Sequence, residues 1–137
     1  MLESDVLYAY VKHDDWLKRD AVRLVSKIET GELGIVYTSR EVLHELYYVS
    51  MEERVTVDEF LSRAAALTAI KNLRYLDTTY EIDLLALALM KQYGLTSVFD
   101  AYYAATAANQ VDGHTIISTD SVFDRIPAIR RLDPRNT

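Results

Sequence analysis

The strand-like runs of this chain are short, and most are separated from the next by one or two stretches of helical periodicity. Residues 2–8 are rich in β-forming side chains after an acidic start. Ile35-Val36-Tyr37, residues 73–76, residues 115–118 and residues 129–132 make four further runs. Between them, Ala21, Leu24, Val25 and Ile28 recur at helical spacing in a segment opened by Asp14-Asp15-Trp16, which predicts a helix over residues 14–28. Thr38 or Ser39 caps a second helix, Thr56 starts a third that runs to about Asn72, and Thr78-Thr79 opens a fourth over residues 80–93, which stops at Gly94. Ser97 begins an alanine-dense helix to about Ala108. Strands joined through helices need crossovers, and crossovers imply a parallel sheet covered on both faces. The expectation is one domain over residues 1–137, a three-layer α/β/α sandwich with a short central parallel sheet.

Onto this pattern fall acids where apolar or neutral residues would be expected. Glu3 and Asp5 lie in the first run, Glu45 in Val42-Leu43-His44-Glu45-Leu46, Asp100 in Val98-Phe99-Asp100-Ala101, and Asp120 just past Ser118-Thr119. Acids are rarely placed against a core without a partner. In open parallel sheets functional groups collect at the carboxyl ends of the strands, where all five could meet. Two like charges ~4 Å apart at an effective dielectric of ~20 repel by about 4 kcal/mol. A shared divalent cation removes that repulsion, and Mg²⁺ takes a few carboxylates, waters and phosphate oxygens. Metal-assisted hydrolysis of a phosphodiester is the chemistry to which this points. Each acid also has a plainer reading: Asp100 reaching solvent, Asp120 capping a helix, Glu45 paired with Lys or Arg. Glu3 and Asp5, two apart on a strand, would face the same side.

Composition narrows the alternatives. With no cysteine among 137 residues, disulfide and thiolate chemistry is excluded, and any metal must be held by oxygen or by His13, His44 or His114. The histidines show no nucleophile-activating spacing. A net charge of −6 argues against a protein that coats nucleic acid by neutralising phosphates, though not against an enzyme whose metal supplies the positive charge. Lys12, Lys18, Arg19 and Arg23, with Arg125, Arg130, Arg131 and Arg135, are either strand-holding cations or a solvated face. Ten tyrosines, including Tyr47-Tyr48 and Tyr102-Tyr103, read as packing in preference to base stacking. No run reaches membrane-spanning length, no export signal is expected, and the absence of cysteine suits the cytoplasm.

Four motifs then resemble a known family, in order and across essentially the whole chain. Glu3-Ser4-Asp5-Val6-Leu7 resembles the opening Asp-Thr-Asn-Val-Leu stretch of PIN domains. Ser39 followed by Glu45 is similar to their second motif, Asp100 before a small-residue helix to their third, and Thr119-Asp120-Ser121-Val122-Phe123 to their closing pattern. The resemblance implies a ribonuclease of the VapC type, using Mg²⁺ or Mn²⁺, usually dimeric, and silenced by a small cognate antitoxin. It places Glu45, Asp100 and Asp120 on the family's acidic positions. Glu3 falls where the family has its first Asp, and Asp5 where Asn or Ser is usual, so Glu3, Asp5 or both supply the first acid. Two other readings stand beside it: a PIN-like interaction module with weakened catalysis, and a nuclease of the same fold acting on DNA flaps or in ribosomal RNA maturation.

Overall fold

The first run is where the chain departs most from the expectation drawn from its sequence. In the computed structural model, which describes residues 1–137, residues 2–8 are not a strand. Helix α1 spans Ser4–Val11, and only residues 1–3 are extended. Val6 and Leu7 are both buried, as is Ala9, a spacing that suits a helix face and not the alternation of a half-buried strand. Asp5 sits in the first turn, where a negative charge complements the helix dipole. The β-forming composition is overridden by packing.

The remaining elements lie close to their expected places. Helix α2 spans Lys18–Glu29, four residues later than predicted, because the Asp15 side chain accepts from the Leu17 N–H and makes a turn of the residues before it. Strand β1 (Val36–Ser39) leads into α3 (Glu41–Glu52), with Ser39 Oγ accepting from the Glu41 N–H. Helix α4 (Val57–Thr68) ends short of Asn72, which takes a left-handed φ of 67° and uses its side-chain amide to bind the carbonyls of Ile28 and Glu29 at the end of α2. Strand β2 is Leu73–Leu76 and α5 is Tyr80–Tyr93, both with the bounds expected. Helix α6 (Val98–Gln110), β3 (Thr115–Ile117) and β4 (Arg130–Leu132) complete the order, with 3₁₀ turns at Asp112–His114, Ser121–Arg125 and Pro134–Asn136.

Both ladders are parallel. β1 pairs with β2 from Val36↔Leu73 to Ser39↔Leu76, and β3 with β4 from Thr115↔Arg130 to Ile117↔Leu132. Residues 1–3 lie between the two ladders and bond to both: the Leu2 N–H donates to the Tyr37 carbonyl (2.7 Å), the Glu3 N–H to Ile117 (3.1 Å), and the Ile117 N–H to Met1 (2.7 Å). Three residues thus stand in for a central strand. Helix α6 lies against β1 and β3 and packs across α5, an approach permitted by its buried Ala101, Ala104, Ala105 and Ala107. The fold is the α/β class with a short parallel sheet. No single helix is long and apolar enough to cross a membrane.

Candidate active site

Parallel strands bring the ends of three neighbours to one edge. Residues 1–3 end at Glu3, β1 runs into α3 one turn before Glu45, and β3 is followed by Ser118-Thr119-Asp120. The first turn of α6 adds Asp100, held in place by its N–H on Ser97 Oγ (3.3 Å). All five acids named from the sequence gather here.

Glu3 is buried and accepts from Ser118 Oγ (3.0 Å) on one oxygen and from Ser4 Oγ on the other. Burial, then the charges of Asp5 and Glu45, raise its carboxyl well above the ordinary glutamate range. Ser4 Oγ also contacts Glu45 Oε1, which accepts in addition from the Tyr103 hydroxyl (2.8 Å). One hydroxyl proton cannot serve two carboxylates. Of the two, Glu3 is the acid whose proton burial favours. Ser118 Oγ extends the network, accepting from the Asp120 N–H (2.9 Å).

Asp5 is engaged differently. Its Oδ2 accepts from both the N–H (2.7 Å) and the hydroxyl (2.6 Å) of Thr119, and its Oδ1 from the Val6 N–H (2.7 Å). It therefore clamps the start of α1 to the loop that carries Asp120. Because α1 is a helix, Glu3 and Asp5 do not share the face of a strand.

Asp100 is half-buried and makes no side-chain hydrogen bond. Burial first, and then the charges of Asp120, Glu45 and Asp5, push its carboxyl up to about 7 from 3.8. Asp120 is exposed and accepts from the Val122 N–H (2.9 Å), so the capping reading of its sequence position is correct as far as it goes. Glu45 has no basic partner. Indeed none of the five acids makes an ion pair, whereas Arg131 is bound to Asp124, Arg135 to Asp133, Arg23 to Asp20 and Lys12 to Asp15. Of the cations named from the sequence as strand-holding or as a solvated face, Arg19, Arg125 and Arg130 are exposed and outside any ion pair.

The donors of this site are all hard oxygens, and their charges are uncompensated. No three His, Asp or Glu side chains converge to hold an ion by themselves. A closed structural cage is therefore not what the residues build. They suit a cation such as Mg²⁺, which keeps several waters and takes one or two carboxylates with substrate oxygens. Sequence reading missed Ser4, Tyr103, Ser118 and Thr119, the hydroxyls that orient the acids. Tyr103, fully buried with its hydroxyl on Glu45, is the packing residue expected, with a polar end whose use no local signal reveals.

The fold and the site together define a class. Residues 1–129 match the PIN domain family, and the chain belongs to it. Two solved structures are similar over nearly their full length. One is a toxin–antitoxin complex from Klebsiella pneumoniae (17% identity, 97% of this chain and 95% of that chain, TM-score 0.63). The other is VapBC2 from Rickettsia felis bound to a DNA fragment from their promoter (20% identity, 96% of each chain, TM-score 0.65). At these identities the likeness is one of fold. No curated protein matches the chain.

Proposed function

We propose that the chain is a metal-dependent endoribonuclease that hydrolyses RNA phosphodiester bonds as the toxin of a VapBC-type pair, acting in the cytoplasm. The observation that carries this reading is the gathering of Glu3, Asp5, Glu45, Asp100 and Asp120 at one edge with no ion-pair partner, a crowding that also raises the Asp100 carboxyl. Membership of the PIN family and the two similar toxin–antitoxin complexes support it. Glu45, Asp100 and Asp120 would hold Mg²⁺ or Mn²⁺ among them, directly or through its waters, with Glu3 or Asp5 contributing from the first motif. A cation bound there would lower the pKa of a water and polarise the phosphoryl oxygen. Ser4 and Tyr103 fix Glu45 from one side and leave its second oxygen unpaired. Beside such a cation the ionised carboxylate of Asp100 would be favoured, leaving it to hold the ion or a water on it. Asp5 and Ser118 keep the Asp120 loop against α1. A second copy and a small antitoxin are the partners in this reading, and exposed Val57 and Leu61 on α4, with Tyr80, Leu84 and Leu87 on α5, are apolar surface for them to cover.

A second reading, the PIN-like interaction module, draws on Glu3, whose two oxygens are already occupied by serines. Titration calorimetry with Mn²⁺ and Mg²⁺, beside cleavage of a model RNA, decides between them. Millimolar or tighter binding and cleavage, both lost in Asp100→Asn, support the enzyme. No binding and no cleavage by the unaltered protein would leave the module.

A further inference from the structure

Beside the acids, between α3 and α6, lies a groove of about 470 Å³ that the site does not use. Glu41, His44, Tyr47 and Tyr48 line it from α3, Phe99 and Tyr102 from α6. Tyr48 is three residues beyond Glu45 on the same helix and Phe99 precedes Asp100, so groove and acids share their backbone. The structure divides the tyrosine pairs that the sequence led us to treat alike. Tyr103 is buried, but Tyr48 is 61% exposed. Its ring is nonetheless held in place, edge-on to Tyr47 (5.8 Å, 69°) and tilted against Phe99 (6.2 Å, 47°), with Tyr47 braced in turn on Phe60 (5.6 Å). No Lys or Arg lines the groove, which unfits it for phosphate. Its acidic group is Glu41, with one oxygen on His44 Nδ1 (2.9 Å) and the other without a protein partner. A fixed, exposed aromatic face with a carboxylate at its edge matches an unpaired nucleobase that offers N–H donors. Guanine, with adjacent N1–H and N2–H donors, meets a carboxylate best.

We infer that this groove is a base-stacking subsite for the unpaired nucleotide next to the bond that is cut, with Tyr48 as platform and Glu41 reading the base edge. The inference rests on the ribonuclease reading, and its test separates the two. Asp100→Asn protein in Mg²⁺ is titrated with single-stranded RNA octamers containing one 2-aminopurine, or one guanine or adenine in an otherwise uridine sequence. Binding should quench 2-aminopurine, and adding Tyr48→Ala should weaken affinity about tenfold and abolish the quench. Tyr48→Phe, which keeps the ring, should behave as the parent, and a matching thermal melt guards against misfolding. Glu41→Gln should erase a preference for guanine over adenine while leaving adenine binding unchanged. RNA binding indifferent to Tyr48→Ala would overturn the subsite and leave the nuclease reading standing. The same indifference with weakened binding of an antitoxin would give the groove to a protein. No RNA binding by the Asp100→Asn parent would overturn the subsite, and no cleavage by the unaltered protein would overturn the nuclease reading with it.

Discussion

Asp100 shows how one carboxyl links stability to chemistry. Its pKa is about 7 in the folded protein against 3.8 ordinarily, so between those values the native state holds a proton that the unfolded chain has lost. That advantage is complete near the lower value and vanishes as pH rises through 7. Glu3, also raised, acts in the same direction. Metal-free protein should therefore lose stability from pH 5 to pH 8 in urea melts. Asp100→Asn should flatten this slope and gain about 1 kcal/mol at pH 8, a figure reduced for the screening of a partly exposed group. The same variant should lose at least about a hundredfold in RNA cleavage. A variant less stable than the parent at pH 8 would contradict the repulsion argued here. The first motif offers a parallel comparison. Asp5→Asn retains an acceptor for Thr119 and should keep most activity, whereas Asp5→Ala frees the Asp120 loop and should cost about tenfold. Glu3→Gln should fold normally, since burial favours the neutral form of Glu3 and the amide is neutral too, and should reveal through its cleavage rate whether this position reaches the metal. Full activity in both Glu3→Gln and Asp5→Ala would place the site elsewhere.

Elements differ in how locally they are specified. Helix α5 begins where Thr79 Oγ1 accepts from the Ile82 N–H (3.3 Å) and ends at Gly94 in a left-handed conformation, φ 66°. Both signals are in the sequence, and both bounds are legible there. Nothing lies within 4 Å of where a Cβ on Gly94 would sit, so Gly94→Ala should cost about 1 kcal/mol through backbone strain alone. Thr79→Ala should cost about as much through its lost cap. Neither should alter RNA cleavage at a temperature where the protein stays folded, and chemical denaturation beside an activity assay checks both. Helix α1 is the contrast. Its Asp5 and its Val6, Leu7 and Ala9 face give a helix little local distinction from a strand, and its start is set by the ladder bonds that stop at Glu3.

At the scale of the whole molecule, a net charge of −6 and five acids without ion-pair partners leave negative charge that the chain's own cations do not balance. Mn²⁺ or Mg²⁺ should raise the melting temperature and EDTA should reverse the rise, with about 2.7 kcal/mol gained at a hundredfold excess over the dissociation constant. The gain should shrink in Asp100→Asn, and a melting temperature indifferent to millimolar metal would favour the interaction module. The alternation of strand-like and helical runs was enough to determine the α/β class, and the caps of α5 and the misplaced charges of Glu3, Asp5, Glu45, Asp100 and Asp120 were as legible, because periodicity, capping and misplaced charge are local properties. Only the tertiary structure decided that three residues replace the first strand, that Asp5 binds Thr119 while Glu3 is buried on Ser4 and Ser118, and that Tyr48 is exposed where Tyr103 is buried. Those outcomes depend on hydrogen-bond partners and neighbours more than a hundred residues away in the chain for Glu3 and Asp5, and on which helix lies over which ring for the tyrosines. Residue type alone carries no record of such distant contacts.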